Sequence, residues 1–246
     1  MYISQSFTLL STVIEINFIY AKWLHTSVVL LQHKNNNIDM LAILPTINNV
    51  LNLNTTAENV LNHTISKADV LMFDMDGTLV DTNYANYLSY IYAIKQITES
   101  NINFCYNPDT RFTREQLLKA MPTISNIEYE TIITLKNDFY INYLYKTKIN
   151  EPVVEILKKY SNSKKIILVT NSLKNRACVT LEYHSLINNF NYMFYQQPHN
   201  KIENKYGHAI TSMKVNPASV VVFENETVEV NAAKFAGIPN NNIVHI

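Results

Sequence analysis

Val70-Leu71-Met72-Phe73-Asp74-Met75-Asp76-Gly77-Thr78-Leu79-Val80-Asp81-Thr82 is the stretch that decides the fold. Its apolar run stops on two carboxylates one residue apart, as a buried strand does when it ends by presenting acids. Strand side chains alternate between faces, so Asp74 and Asp76 share one side. Acids that close repel unless a cation stands between them. Gly77 lets the backbone turn tightly, and the chain has only three glycines in 246 residues, which argues against filler. Thr78 can return a hydroxyl to the strand end. The competing reading, an exposed Asp-Gly hairpin, leaves the flanking Leu79-Val80-Asp81-Thr82 without a reason.

Outward from this strand the chain alternates. Lys165-Ile166-Ile167-Leu168-Val169 suits a strand buried on both faces and ends on Thr170-Asn171-Ser172. Ser219-Val220-Val221-Val222-Phe223 is another, ending in Glu224-Asn225-Glu226. Shorter strands are expected over residues 192–195 and 242–246. Helices are expected over 152–159, 176–186, from Lys205 onward, and over 228–236 with Gly237 just past the end. The pattern predicts an α/β fold with a doubly wound parallel sheet. Such sheets place ligands at the carboxyl ends of their strands.

The core is expected over residues 68–82 and 151–246, with a helical cap inserted over 83–150. In the cap, residues 84–97 carry Tyr87, Leu88, Ile91, Tyr92 and Ile94 to one side of a helix. Thr113 and Gln116 have capping-box spacing, and a third helix is expected over 128–145. Residues 1–67 form an extension. Its apolar run over 7–31 is interrupted by Glu15, Lys22 and His25, which makes a membrane span a poor reading. Met40 offers a second start, and residues 41–60 read as a short amphipathic helix and linker.

Twenty Lys and Arg balance twenty Asp and Glu, so charge gives no case for nucleic acid or an anionic membrane as partner. Cys105 and Cys178 make neither a disulfide framework nor a metal site. Both are expected as small core residues in a reducing, cytoplasmic setting.

Asp74-Met75-Asp76-Gly77-Thr78-Leu79-Val80-Asp81-Thr82 resembles the first signature of the haloacid dehalogenase-like superfamily of phosphohydrolases, whose core is Rossmann-like. The resemblance implies that Asp74 accepts the phosphoryl group and Asp76 acts as acid and base, with magnesium beside both. Thr170-Asn171 fits the second signature. A helix N-cap is the plainer reading of Thr170, and both roles serve a phosphate. Lys205 fits the third signature, with Lys201 as the alternative. The fourth is usually an acidic pair but reads Glu224-Asn225 here, which removes a charge from the metal site; Glu229 could compensate. The implied metal set is thus Asp74, Asp76, Glu224 and Asn225.

The cap lies where the branch of β-phosphoglucomutase and phosphoglycolate phosphatase carries one. Arg114 and Lys136 look similar to the basic residues that this branch lowers onto its substrate, beside Gly77, Thr78, Asn171 and Ser172. The resemblance implies a magnesium-dependent phosphohydrolase of a small phosphorylated metabolite, working through an aspartyl phosphate. One alternative is a sugar phosphomutase, although the resembled mutases carry a His where this chain has Asn86. The other is a catalytically silent binding protein, which the Asn225 departure would support.

Overall fold

Strand β1 (Val70–Phe73) runs up the middle of a five-stranded sheet with no exposed side chain along it. The computed structural model describes residues 58–98, 104–197 and 203–246. The readings of residues 7–31, Met40 and Lys201, and all but the end of 41–60, lie outside them.

After β1 come β2 (Val80–Asp81), α1 (Asn83–Ile97), α2 (Arg114–Ala120), α3 (Asn126–Phe139), β3 (Lys148–Ile149) and α4 (Glu151–Tyr160). The chain continues through β4 (Lys165–Leu173), α5 (Lys174–Tyr183), β5 (Tyr192–Gln196), α6 (Lys205–Met213), β6 (Val220–Glu224), α7 (Thr227–Phe235) and β7 (Ile243–His245). The main sheet has the order β5-β4-β1-β6-β7, and every pairing in it is parallel. Phe73 lies level with Leu168 on one side and Phe223 on the other, so Asp74 leaves β1 between Val169 of β4 and Glu224 of β6. β4 and β6 leave β1 in opposite directions, which makes β1 the switch point where an open α/β sheet forms its crevice.

Period-2 alternation assigns the two faces of the sheet. Leu71, Phe73, Ile166, Leu168, Val221 and Phe223 pack with Val153, Val154 and Leu157 of α4 and Ala177 and Leu181 of α5. The Phe73 and Phe223 rings stack across neighbouring strands with centroids 4.6 Å apart. Val70, Met72, Ile167, Val169, Val220 and Val222 face the other way, onto Tyr206, Ala209 and Ile210 of α6 and Ala233 of α7. Both faces are covered, as a parallel sheet of near-continuous apolar strands requires.

The helical insert leaves and returns through a two-stranded stem in which Val80 pairs with Ile149. Its own core gathers Tyr90, Ala93, Ile94, Leu117, Met121, Ile132 and Ile133. Thr113 with Gln116 and Ser125 with Glu128 form reciprocal capping boxes at the starts of α2 and α3.

Local outcomes differ from the sequence reading in four places. The helix expected to reach residue 145 ends at Phe139 and passes into a 3-10 turn over Tyr140–Lys146. The buried face of α1 is Ala85, Asn86, Ser89, Tyr90, Ala93 and Ile94, not the larger apolar stripe, because polar Asn86 turns inward to bond Arg176 and Phe112. β4 continues through an irregularity to Leu173, so Thr170 lies within the strand and does not cap α5. Cys105 is exposed and Cys178 only partly buried, so neither is a core residue.

Candidate active site

Asp74 stands at the tip of β1, and Lys205 reaches it from the first turn of α6. Asn204 starts that helix by accepting a hydrogen bond from the Gly207 N–H at 2.8 Å. The Lys205 ammonium then lies 2.7 Å from Asp74 Oδ1 and 2.8 Å from Glu224 Oε2, with all three side chains buried. Two carboxylates sharing one ammonium leave one negative charge uncompensated. Burial accordingly pushes the Asp74 carboxyl up to about 8, with Lys205 opposing and Glu224 adding to the rise. Burial works against the Lys205 ammonium, but the two carboxylates outweigh it and hold its pKa above the ordinary value. Among the described residues Lys205 is the one side-chain donor to Asp74, and the Asp74 residue lines the cavity.

Glu224 is fully committed inside this cluster. Oε2 also accepts from the Tyr206 hydroxyl at 2.7 Å, and Oε1 accepts the backbone N–H groups of Asn225 and Glu226 at 2.9 Å each. Four donors use the lone pairs of a carboxylate. With no solvent exposure, Glu224 serves as the counter-ion of Lys205, and a metal role for it would require one of these donors to give way.

Asp76 faces a different set of partners. Its Oδ1 accepts from Arg176 Nη2 at 2.9 Å, from Arg111 Nη2 at 3.0 Å and from the Thr82 hydroxyl, while Ser172 Oγ donates to Oδ2. Burial opposes ionisation of Asp76, but Arg176 and Arg111, helped by the two hydroxyls, hold its carboxyl far below the usual range. The sequence reading missed both arginines. Arg176 sits one turn past the second signature, and its Cζ lies 4.2 Å from the centre of the Tyr140 ring. Arg111 precedes the Thr113 capping box, a position that periodicity does not mark. Asn86, where the resembled mutases carry a His, accepts from Arg176 Nη1 at 3.0 Å.

The remaining expected residues divide into two groups. Asp74, Asp76, Thr170, Asn171, Ser172, Arg114, Lys136 and Lys205 line one cavity of about 710 Å³ between core and insert, with Arg111, Arg176, Glu226 and Glu229. Within it Thr170 Oγ1 accepts the Ser172 N–H at 3.0 Å, and Asn171 donates to Glu229 at 2.9 Å. Gly77, Thr78 and Asn225 are not among the residues that line it. Thr78 has no exposure and is hydrogen-bonded to Asn225 at 2.9 Å. Its contact is with the loop after β6, and no surface of it faces a substrate.

Gly77 has φ +88°, and a Cβ there would run into the Asn225 amide. Gly77→Ala is therefore expected to destabilise the protein by about 1–3 kcal/mol. Urea unfolding monitored by circular dichroism measures this, and a midpoint equal to that of the wild type would contradict it.

The Asn225 amide has two meaningful orientations. With its oxygen inward it accepts from the Thr78 hydroxyl but stands among other acceptors, the less favourable of the two. Reversed, its nitrogen donates to the Asp76 main-chain carbonyl at 3.1 Å, Thr78 Oγ1 at 2.9 Å and Glu224 Oε1 at 3.3 Å, and needs none. Among the described residues no three His, Cys, Asp or Glu side chains gather around a point that could hold a metal.

Lys136, from α3, is 7% exposed and lies across the cavity. Its ammonium is 4.8 Å from the centre of the Tyr90 ring and 3.4 Å from Asn137 Oδ1. Burial, then the charges of Arg176, Arg111 and Arg114, push its pKa down to about 6.

The sequence pattern of haloacid dehalogenase-like hydrolases matches residues 71–242. No curated protein matches the chain. Solved structures with the same fold include a haloacid dehalogenase-like family hydrolase from Streptococcus pneumoniae, 14% identical, covering 70% of this chain and 83% of that one, TM-score 0.58. CbbY from Rhodobacter sphaeroides in complex with phosphate is 13% identical, covering 70% and 84%, TM-score 0.58. A predicted phosphoglycolate phosphatase from Haemophilus somnus is 16% identical, covering 70% and 83%, TM-score 0.59.

Proposed function

The chain belongs to the haloacid dehalogenase-like hydrolase family, and from that membership we propose that it hydrolyses a phosphate monoester of a small metabolite through an aspartyl phosphate on Asp74. The observation that carries the reading is Asp74 at the tip of β1, lining the cavity with Thr170 and Ser172 and held by Lys205 at 2.7 Å. Lys205 fixes the attacking carboxylate and, with Thr170, offers donors to the phosphoryl oxygens. Asp76 is the acid and base of this reading; Arg111 and Arg176 hold it ionised and weaken it as a base, so taking a proton from the incoming water also requires them to loosen. Its acid half requires the guanidiniums to loosen their hold, and an anionic substrate competes for them.

Magnesium is the cation assigned to this centre. The uncompensated charge of the Asp74–Lys205–Glu224 cluster fits it; the Asn225 amide, which satisfies its protein partners with its nitrogen inward, would have to turn its oxygen inward to join. Mg²⁺ commonly uses one or two protein oxygens and fills the rest of its shell with water and phosphate. Asp74 and Asn225 would hold it, and when bound it supplies positive charge to the phosphoryl oxygens.

Two measurements test this reading. Inorganic phosphate release from a panel of phosphorylated metabolites, with and without a chelator, should show turnover that the chelator removes. No turnover across the panel would favour a silent binding protein instead. Asn225→Asp should lower the half-saturating magnesium concentration by about tenfold, because it restores a full charge to a hard-cation site. An unchanged magnesium titration would remove Asn225 from the metal site.

A further inference from the structure

Lys136 stands apart from the other buried cations of the cavity. Arg111 and Arg176 share Asp76, and Lys205 lies between Asp74 and Glu224. Among the described residues no acid lies within ion-pair distance of Lys136, whose nitrogen rests over the Tyr90 ring with Asn137 Oδ1 at 3.4 Å. Its charged form is opposed by burial, by Arg176 of α5 and by Arg111 and Arg114 of the insert, with partial relief from Asp76. A guanidinium keeps its proton, so Lys136 is the member of this group that can lose one. Brought down to about 6, its amine carries a free lone pair at neutral pH. Arg176 Nε adds a second shortfall, being a buried donor with no partner among the described residues. Two demands therefore stand unmet side by side: a nucleophilic amine, and a deficit of negative charge around it.

We propose that Lys136 is a carbamylation site, whose amine adds dissolved carbon dioxide to give a carbamate that Arg176, Arg111 and Arg114 hold as an anion. The nitrogen lone pair forms the new N–C bond, one C–O π bond of carbon dioxide becomes the carboxylate, and one N–H proton leaves to solvent. No other reactant is needed, and the step reverses when carbon dioxide is withdrawn. An imine with a carbonyl compound would use the same lone pair, yet it would leave the guanidiniums as short of negative charge as before. A carbamate meets both demands. It replaces a group that these cations repel by one that they attract through charge-assisted hydrogen bonds. Carbamylation asks nothing of Asp74 or of phosphoryl transfer, but it acts on the same cavity. A fixed anion there opposes an anionic ligand, so carbon dioxide works as a reversible brake on binding.

Trapping on the full wild-type chain tests this without any variant. Protein equilibrated with bicarbonate at neutral pH and then ethylated with triethyloxonium keeps each carbamate as a stable ester, which peptide mass spectrometry assigns to its lysine. Lys136 should carry the ester at an occupancy at least about tenfold above that of exposed lysines such as Lys119, whose amines are almost wholly protonated. Carbon-13 bicarbonate should give a bound carbamate signal by NMR that is missing from Lys136→Arg, which keeps a cation but lacks the nucleophile. Propylphosphonate, which cannot be hydrolysed, should bind wild type about threefold or more weakly with bicarbonate than in carbon dioxide-free buffer of equal pH and ionic strength, because a like charge has entered the cavity. Its affinity for Lys136→Arg should be the same in both buffers. No ester on Lys136, or an occupancy no higher than at exposed lysines, overturns the site. A bicarbonate effect that survives in Lys136→Arg identifies competition by the free ion and overturns the brake. An ester on Lys136 in a protein that turns over no phosphate ester keeps the site and rejects the hydrolase reading, so the two failures are distinct.

Discussion

Asp74→Asn is expected to reduce phosphate release by about 10⁴-fold or more while leaving the protein folded, because the nucleophile is replaced by a neutral amide of the same shape. The amide oxygen can still accept from Lys205, which in the wild type lies 2.7 Å from Asp74 Oδ1. The substitution also removes the negative charge that Asp74, Glu224 and Lys205 leave uncompensated. The melting temperature should therefore equal or exceed that of the wild type. That combination separates loss of a nucleophile from loss of structure: a structural residue would lose both activity and stability. Turnover within tenfold of wild type would show that Asp74 does not carry the phosphoryl group.

The parts of this molecule legible in its sequence are those governed by period. β1, β4 and β6 are short runs of Val, Ile, Leu, Met and Phe that end on polar residues, and the same runs predict a parallel sheet and its reactive edge. Asp74, Thr170 and Lys205 could be placed because each stands where a periodic element starts or stops. Arg111 and Arg176 could not, since nothing in their local spacing says that they turn toward Asp76; that pairing crosses 35 residues in one case and 100 in the other.

The partners of Glu224 were illegible for a related reason. A carboxylate at a strand tip reads as a ligand, and only the three-dimensional arrangement shows that Lys205, Tyr206 and two backbone N–H groups already occupy it. In α1 the larger apolar side chains pointed to one face, while the buried Asn86 served Arg176 on another. Polar residues that organise a site look like surface residues until their partners are known.

Lys205→Met should be the most destabilising single change at the site. Removing the ammonium leaves Asp74 and Glu224 buried together without a counter-ion, and breaking a buried ion pair from one side costs about 3–5 kcal/mol. For a chain of this size that corresponds to a fall in melting temperature of roughly 10 °C. The pH dependence has a definite sign. Without Lys205 the Asp74 carboxyl, already raised by burial and by Glu224, loses the ammonium that opposed the rise, and a carboxyl raised on folding loses stability as pH rises through that window. The deficit relative to wild type should therefore be largest above neutrality and shrink as the buffer is made acidic. Adding Glu224→Gln to Lys205→Met removes one of the two stranded charges and should recover part of the loss, although activity stays low because Asp74 has lost its partner. Thermal unfolding of the single and double variants at two pH values measures all of this. A double variant less stable than Lys205→Met alone would mean that Glu224 supports the fold through Tyr206 and the Asn225 and Glu226 N–H groups more than through its charge on Lys205.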